Sequence, residues 1–486
     1  MADWSDPRLK MLALQRFGLG LKPGQGGVQG DVRERLLADI RSDGAPQPRV
    51  GFSGAAPIGR ALYAFEDEER AAREAKRVAA QPGGQQAMGQ SVQVAAASPM
   101  PGQPQGPMVK PPPPEPPFPA KVYREEAVAR VQGALDAETG FAERLVQFWS
   151  NHFCVSVAKG NFVRAMAGAF EREAIRPNIF GRFEDLLIAV ESHPAMLNFL
   201  DNQLSIGPDS RAGKRRGRGL NENLAREIME LHTLGVSGGY TQGDVTSLAR
   251  IITGWTVVGR DARLGFPGSF AFNPGLHDPG GQRLLDKVYR QEGKEMGMAA
   301  LADLARHPST ASFIARKLAR HFVADEPPQA LVAELARVFR ETGGDLAALS
   351  RTLVTSELAA TAPATKLRTP QEFLVASFRA LGRKPDFGQV AGPLGVMGQP
   401  LWQPSGPDGY PDTNAAWATP EGIKTRIDVA AQLGRQAAGS VADPRALTDE
   451  ILGPLASAQT RQAVARAESK PQAIALLLMS PEFQRR

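Results

Sequence analysis

From Val122 to the end of the chain, apolar residues return every three or four positions, and alternating runs are few. A segment written that way buries one stripe of an α-helix; a half-buried strand needs period two. No Asn-Gly or Asp-Gly hairpin stands between β-branched stretches to argue otherwise. Ile314, Leu318 and Phe322 define a helix that Pro327 and Pro328 close. Leu331, Leu335, Val338 and Phe339, then Leu346, Leu349 and Leu353, define two more, and Phe373 to Leu381 runs into Gly382. The stretch Gly392 to Thr419 is loop-rich, and Ala473 to Met479 is an apolar helix that must dock on the body. The first 80 residues follow the same spacing. Leu9, Leu12, Leu14 and Phe17 lead to Gly18 and Gly20, and Ala61 to Val78 carries Glu66–Arg70 and Glu69–Arg73 at i,i+4. The expected fold is mainly α: one large multi-helix domain with long ordered loops.

Between these parts the composition changes. Gln81 to Gln105 is Gln/Gly/Ala/Ser, and eleven of the 21 residues from Pro99 to Pro119 are proline. Such a stretch cannot bury enough apolar surface to offset its ordering entropy. It predicts a disordered Pro/Gln/Gly-rich insertion over 81–119, a spacer more than an SH3-type ligand, between an N-terminal helical part (1–80) and the main helical domain (120–486).

Composition narrows the chemistry. The formal charge is 57 − 51 = +6, spread over the chain, and does not by itself call for nucleic acid. Cys154 is the single cysteine, which excludes an internal disulfide and every multi-cysteine zinc site. The start Met-Ala-Asp-Trp-Ser-Asp-Pro-Arg has no basic region before an apolar run, and no apolar stretch could span a bilayer. The expectation is a cytoplasmic protein without a transmembrane segment. No phosphate loop, G-x-G-x-x-G after a strand, or G-x-S-x-G elbow occurs, which removes ordinary nucleotide enzymes and α/β hydrolases.

The densest polar segment is Leu220 to Gly235. At about 100° per residue, Leu220, Leu224, Ala225, Ile228, Leu231 and His232 share one side, while Asn223, Arg226, Glu227 and Glu230 share the other. Glu230 and His232 then point about 160° apart and cannot form a metal pair on a regular helix. Read plainly, this is an amphipathic helix with His232 near the core and Arg226 paired to Glu222 or Glu230. After Gly238-Gly239, Thr241 to Asp244 has the form of an N-cap with an acidic N3 residue. A helix–turn–helix outline is present, but its second helix offers only Arg250, and the basic run Arg211 to Arg218 reads as a solvated loop. His152, set in the aromatic run Phe148 to Phe153, and His277-Asp278, set in a Pro/Gly loop, could converge with this face. They would form a proton-transfer site or hold a divalent metal. His193, His307 and His321 sit before proline or inside helical patterns and carry no expected role.

Taken in order, several segments carry a resemblance: Leu14-Gln-Arg-Phe-Gly-Leu-Gly20, Phe148-Trp-Ser-Asn-His-Phe153, Ala195-Met-Leu-Asn-Phe-Leu-Asp-Asn202 and Gly219 to Gly235. So do Gly239-Tyr-Thr-Gln242 with Asp244-Val245, Thr253-Gly-Trp255, His277-Asp278 with Gly280, and Lys317-Leu with Phe322-Val323. Thr369-Pro-Gln-Glu-Phe373, Gly409-Tyr-Pro-Asp412 and Trp417 complete them. The chain resembles the bacterial family called domain of unknown function 1800 over nearly its whole length. The resemblance implies that relatives are often exported, and that a protein partner of phosphatase-like fold is often encoded nearby. This chain shows no export signal at its start, and Gln282 and Asp286 stand where relatives carry a Lys and a Gly.

Two functions follow as expectations. The first is a hydrolase or lyase acting on a small molecule, with Glu227, Glu230, His277, Asp278 and His152 as catalytic groups and Arg226 and Asn223 binding substrate. The second is a non-catalytic binding or assembly module in which the same polar cluster is structural and the surface takes a protein partner. Exposure discriminates them, because a site opens into a cleft and a structural network is closed.

Overall fold

The computed structural model describes residues 4–25, 30–80, 115–216 and 219–486. Among them are 24 α-helices and only two small sheets, each of two antiparallel strands, so the architecture is mainly α as the spacing dictates. The expected helices are present: Pro7–Phe17, Ala55–Ala79, Pro308–Phe322, Gln329–Glu341, Leu346–Thr355, Pro370–Ala380 and Lys470–Met479. Phe17 packs on Phe141 and Phe322 at ring separations of 6.4 and 6.2 Å, which seats the first helix against the body. Arg16 reinforces that contact, donating to the Ala359 carbonyl at 2.7 Å from a fully buried position.

Local rules explain many boundaries. Thr241 and Asp244 form the expected capping box at the start of Gln242–Ile251, and Thr369 with Glu372 forms another at Pro370–Ala380. His193 and His307 are N-caps: each ring Nδ1 accepts the amide two residues on at 3.1 Å, with proline at the first helical position.

Three expectations need correction. The Phe118–Asp136 helix opens at Phe118, because proline is tolerated in a first helical turn, so the expected insertion ends before 119. The remainder of that insertion, 81–114, lies outside the described residues. The polar helix starts at Asn223, not Leu220, and turns into a π-helix over Ile228–His232, where the 100° wheel no longer applies. Hairpin signals were missed as well. Strands β1 (Trp255–Val257) and β2 (Phe270–Phe272) pair, as do β3 (Gln282–Leu284) and β4 (Lys287–Tyr289). The β3–β4 turn places Leu285 at φ 51°, a conformation that Asn or Gly normally announces and a leucine hides. Among the described residues no helix is long and apolar enough to cross a membrane.

Candidate functional site

The Asn223–Glu227 helix presents its polar face partly to solvent. Arg226 meets Glu222 at 3.2 Å, the i,i+4 pair expected, and Gln242 at 3.0 Å. Thr246 donates to the same carboxylate at 2.7 Å and Gln242 at 2.8 Å. The Thr246 hydroxyl, then Gln242 and Arg226, hold Glu222 below the usual glutamate range. Glu230 does not pair with Arg226. The two paired side chains are 40% and 30% exposed. Replacing Arg226 with Ala should therefore cost less than about 1 kcal/mol in a denaturant titration. The crowded stripe in the sequence suggests a larger loss, and a larger loss would show that the pair is shielded from water.

His232 and His152 point the other way. His232 Nδ1 lies 2.7 Å from Glu191 Oε1, both groups fully buried, as a core histidine would. His152 donates from Nε2 to the His232 carbonyl at 3.1 Å, leaving its buried Nδ1 without a partner. Burial first, then nearby Lys317, keeps the His152 ring neutral far below the usual histidine range.

His277 and Asp278 have their own partners. His277 Nδ1 donates to the Thr253 carbonyl at 2.9 Å, just past the end of Gln242–Ile251. Asp278, fully buried, accepts Arg250 at 2.8 Å and the Asp209 amide at 2.8 Å. Gly207 presses on Asp278 so closely that a Cβ there would sit 2.6 Å from its backbone. These contacts fasten the loop around Gly207 to the helix. Among the described residues no hydrogen bond or ion pair joins His277 or Asp278 to Asn223, Arg226, Glu227 or Glu230.

Other motif segments do meet. Asn151 clamps Tyr410 in both directions, donating to its carbonyl at 2.9 Å and accepting its amide at 2.8 Å. Gly409, at φ 79°, lies where a Cβ would be 2.4 Å from the Asn151 carbonyl, so only glycine fits. Ser156 holds the Pro404 carbonyl at 2.9 Å, and the Cys154 thiol points at the Pro407 carbonyl at 3.3 Å. Burial pushes that thiol up to about 12, so it is inert. Two buried charge networks flank this junction. Glu372 lies between Arg144 at 3.1 Å and Arg486 at 2.8 Å, and His321 Nδ1 donates to Asp412 at 3.0 Å beside Lys366. Across from them Arg176 holds Glu143 at 2.8 Å and Glu171 at 3.1 Å, and Arg130 reaches Glu171 at 2.8 Å. The cavity between the networks, lined by Ser150, Asn151, Cys154, Glu372 and Tyr410, measures about 50 Å³. That admits a few waters and no metabolite.

The chemically open group is Lys317. On the Pro308–Phe322 helix it is half-buried, its ammonium 5.4 Å from the Phe313 ring centre. Among the described residues it makes no ion pair. Burial lowers it to about 8, although the charges of Asp412 and Asp408 oppose that shift. Glu227 is half-buried and raised, by burial first and also by the charges of Glu230 and Asp408. Asp408 thus acts on both groups. A lysine and a carboxyl displaced towards neutrality are the pair that acid–base chemistry needs. Among the described residues no three His, Cys, Asp or Glu side chains converge to hold a metal ion.

Sequence reasoning missed Lys317, His321, Glu372, Asp408 and Asp412. The available signal was charge placed inside apolar stripes, as Lys317 is between Ile314 and Leu318. Fold and site together define a mainly helical protein whose motif segments meet at buried charge networks beside a half-buried lysine. The family model described as "Protein of unknown function (DUF1800)" matches residues 12–485, and the chain belongs to that family. No curated protein and no solved structure matches it.

Proposed function

We propose that the chain is an enzyme of hydrolase or lyase type, working by acid–base chemistry on a small organic molecule at the Lys317–Glu227 face. One observation carries the reading: Lys317 is half-buried without an anionic partner, among the segments that the motifs bring together. An amine lowered to about 8 is substantially neutral in mildly alkaline solution and can take a proton. Glu227, raised by burial, can return one, with Glu230 keeping the local potential negative. Arg226 and Asn223 flank that face and would hold an anionic group of the substrate. His152 serves as a positioning residue, tying the Phe141–His152 helix to the π-turn, while His277 and Asp278 fix the supporting loop.

The alternative, a non-catalytic module, draws on the cavity between the charge networks, which is too small for a metabolite. A panel of ester, amide and elimination substrates separates the two. Turnover by the native chain should fall by about 10²-fold or more in Lys317→Met and in Glu227→Gln. It should persist in Glu69→Ala, where only an exposed ion pair is lost. Turnover unchanged in both site variants would favour the module.

A further inference from the structure

A second concavity lies away from this face. It is a trough of about 1180 Å³, floored by the Phe118–Asp136 helix, with the 46–51 segment and Phe387 among its walls. We infer that this trough binds an extended acidic peptide.

Its dimensions suit a chain more than a compact metabolite, whose pockets run to about 1,000 Å³. From Arg124 to Asp136 the helical floor rises about 18 Å, the span of five or six extended residues. Along the floor Ala129 and Gly133 are small, and Val128, Val50 and Phe387 provide apolar wall. The wall segment is itself non-helical. Among the described residues the amides of Gln47, Arg49 and Val50 make no hydrogen bond, and neither do the carbonyls of Gln47, Pro48 and Arg49. An extended peptide laid beside them would be met by backbone donors and acceptors, as when a strand is added to an open edge.

The free charges select the peptide. The trough's carboxylates are mostly engaged: Glu143 by Arg176, Glu138 by Arg35, Asp39 by Thr139 and Phe141, and Asp136 by Gln132. Of these, Glu125 alone has no partner among the described residues. Among the described residues three of its cations make no ion pair, namely Arg49, Arg124 and Lys384, all exposed. Arg124 rests its guanidinium 5.3 Å from the Phe387 ring centre, which leaves its N–H edge for a carboxylate. So few cations beside apolar walls match alternating acidic side chains better than a nucleic-acid backbone, whose affinity grows with the number of phosphates contacted.

The test is fluorescence anisotropy on the full chain, with a labelled ten-residue peptide of alternating Glu and Thr, its Gln/Thr counterpart, and a ten-nucleotide oligothymidine. The Glu peptide should bind saturably, and the Gln peptide at least about tenfold more weakly. The double variant Arg124→Glu with Lys384→Glu should lose about tenfold or more. Gly133→Phe, which fills the floor without altering charge, should lose binding as well, with both variants keeping the native circular dichroism melt. No saturable binding of the Glu peptide, equal binding of the two peptides, or unimpaired binding by Gly133→Phe would overturn the proposal. So would tighter binding of the oligonucleotide than of the peptide.

Discussion

Glu372→Gln should lose about 3–5 kcal/mol of stability at neutral pH, among the largest losses available to a single substitution in this chain. Glu372 is 2% exposed and is the shared anion of Arg144 and Arg486, themselves 1% and 0% exposed. Neutralising it leaves two buried guanidiniums without their ion-pair partner among the described residues, with only Asp412 acting on them from further off, and weakens the cap of the Pro370–Ala380 helix. The pH dependence follows in sign. Although burial alone would raise the carboxyl, the two guanidiniums hold it down at about 2, well below the ordinary 4.5. A depressed folded-state pKa contributes stability that is complete above the unfolded value and lost as pH falls towards the folded one. The gap between native chain and variant should therefore be full at pH 7 and narrow between about pH 4.5 and 2. Denaturant titrations at pH 7 and pH 3 measure it. A gap below about 1 kcal/mol at pH 7 would mean that water reaches the network.

Arg176→Met should have a comparable effect, about 3–5 kcal/mol, through the opposite charge. Arg176 is fully buried between Glu143 and Glu171 and donates to the Pro46 carbonyl at 2.8 Å, so its loss strands Glu143, takes one of two cations from Glu171 and frees a loop end. Glu171 keeps Arg130 and the Trp402 indole, whereas Glu143 has no second cation among the described residues. Adding Glu143→Leu to the Met variant should recover part of the loss, since the stranded charge goes with it. If the double variant is the sum of the two singles, the coupling is absent. Arg73→Met, at an exposed i,i+4 pair, should be nearly neutral in the same assay.

These two networks also mark where sequence reading stopped. Helices were legible because their information is local: Ile314, Leu318 and Phe322 make one stripe, and Thr241 with Asp244 writes its own cap. Glu69–Arg73 formed as spaced, but Glu66 turned to Arg260 and Arg70 to Asp67, since exposed charges choose among near-equal partners. Arg144 with Glu372, or Asn151 with Tyr410, joins segments far apart in the chain, and no periodicity encodes such a meeting. The motif list held both halves of the Asn151 clamp without revealing that they touch. The π-turn at Ile228–His232 has no signal in the periodicity either, yet His232 still faces the core and meets Glu191, on the side the helical wheel gives it.

Lys317 titration is the most direct test of the functional reading. Brief pulses of an amine-directed acylating reagent across pH 6–11, read peptide by peptide by mass spectrometry, report when the amine becomes nucleophilic. Lys317 should titrate with a midpoint near 8, since burial favours its neutral form. Free lysine does so at about 10.4. Asp408→Asn, which removes a carboxylate that raises this amine, should lower the midpoint further, because one anion favouring the ammonium is gone. A Lys317 midpoint near that of free lysine would remove the amine's distinction and contradict the assignment of acid–base chemistry to this face.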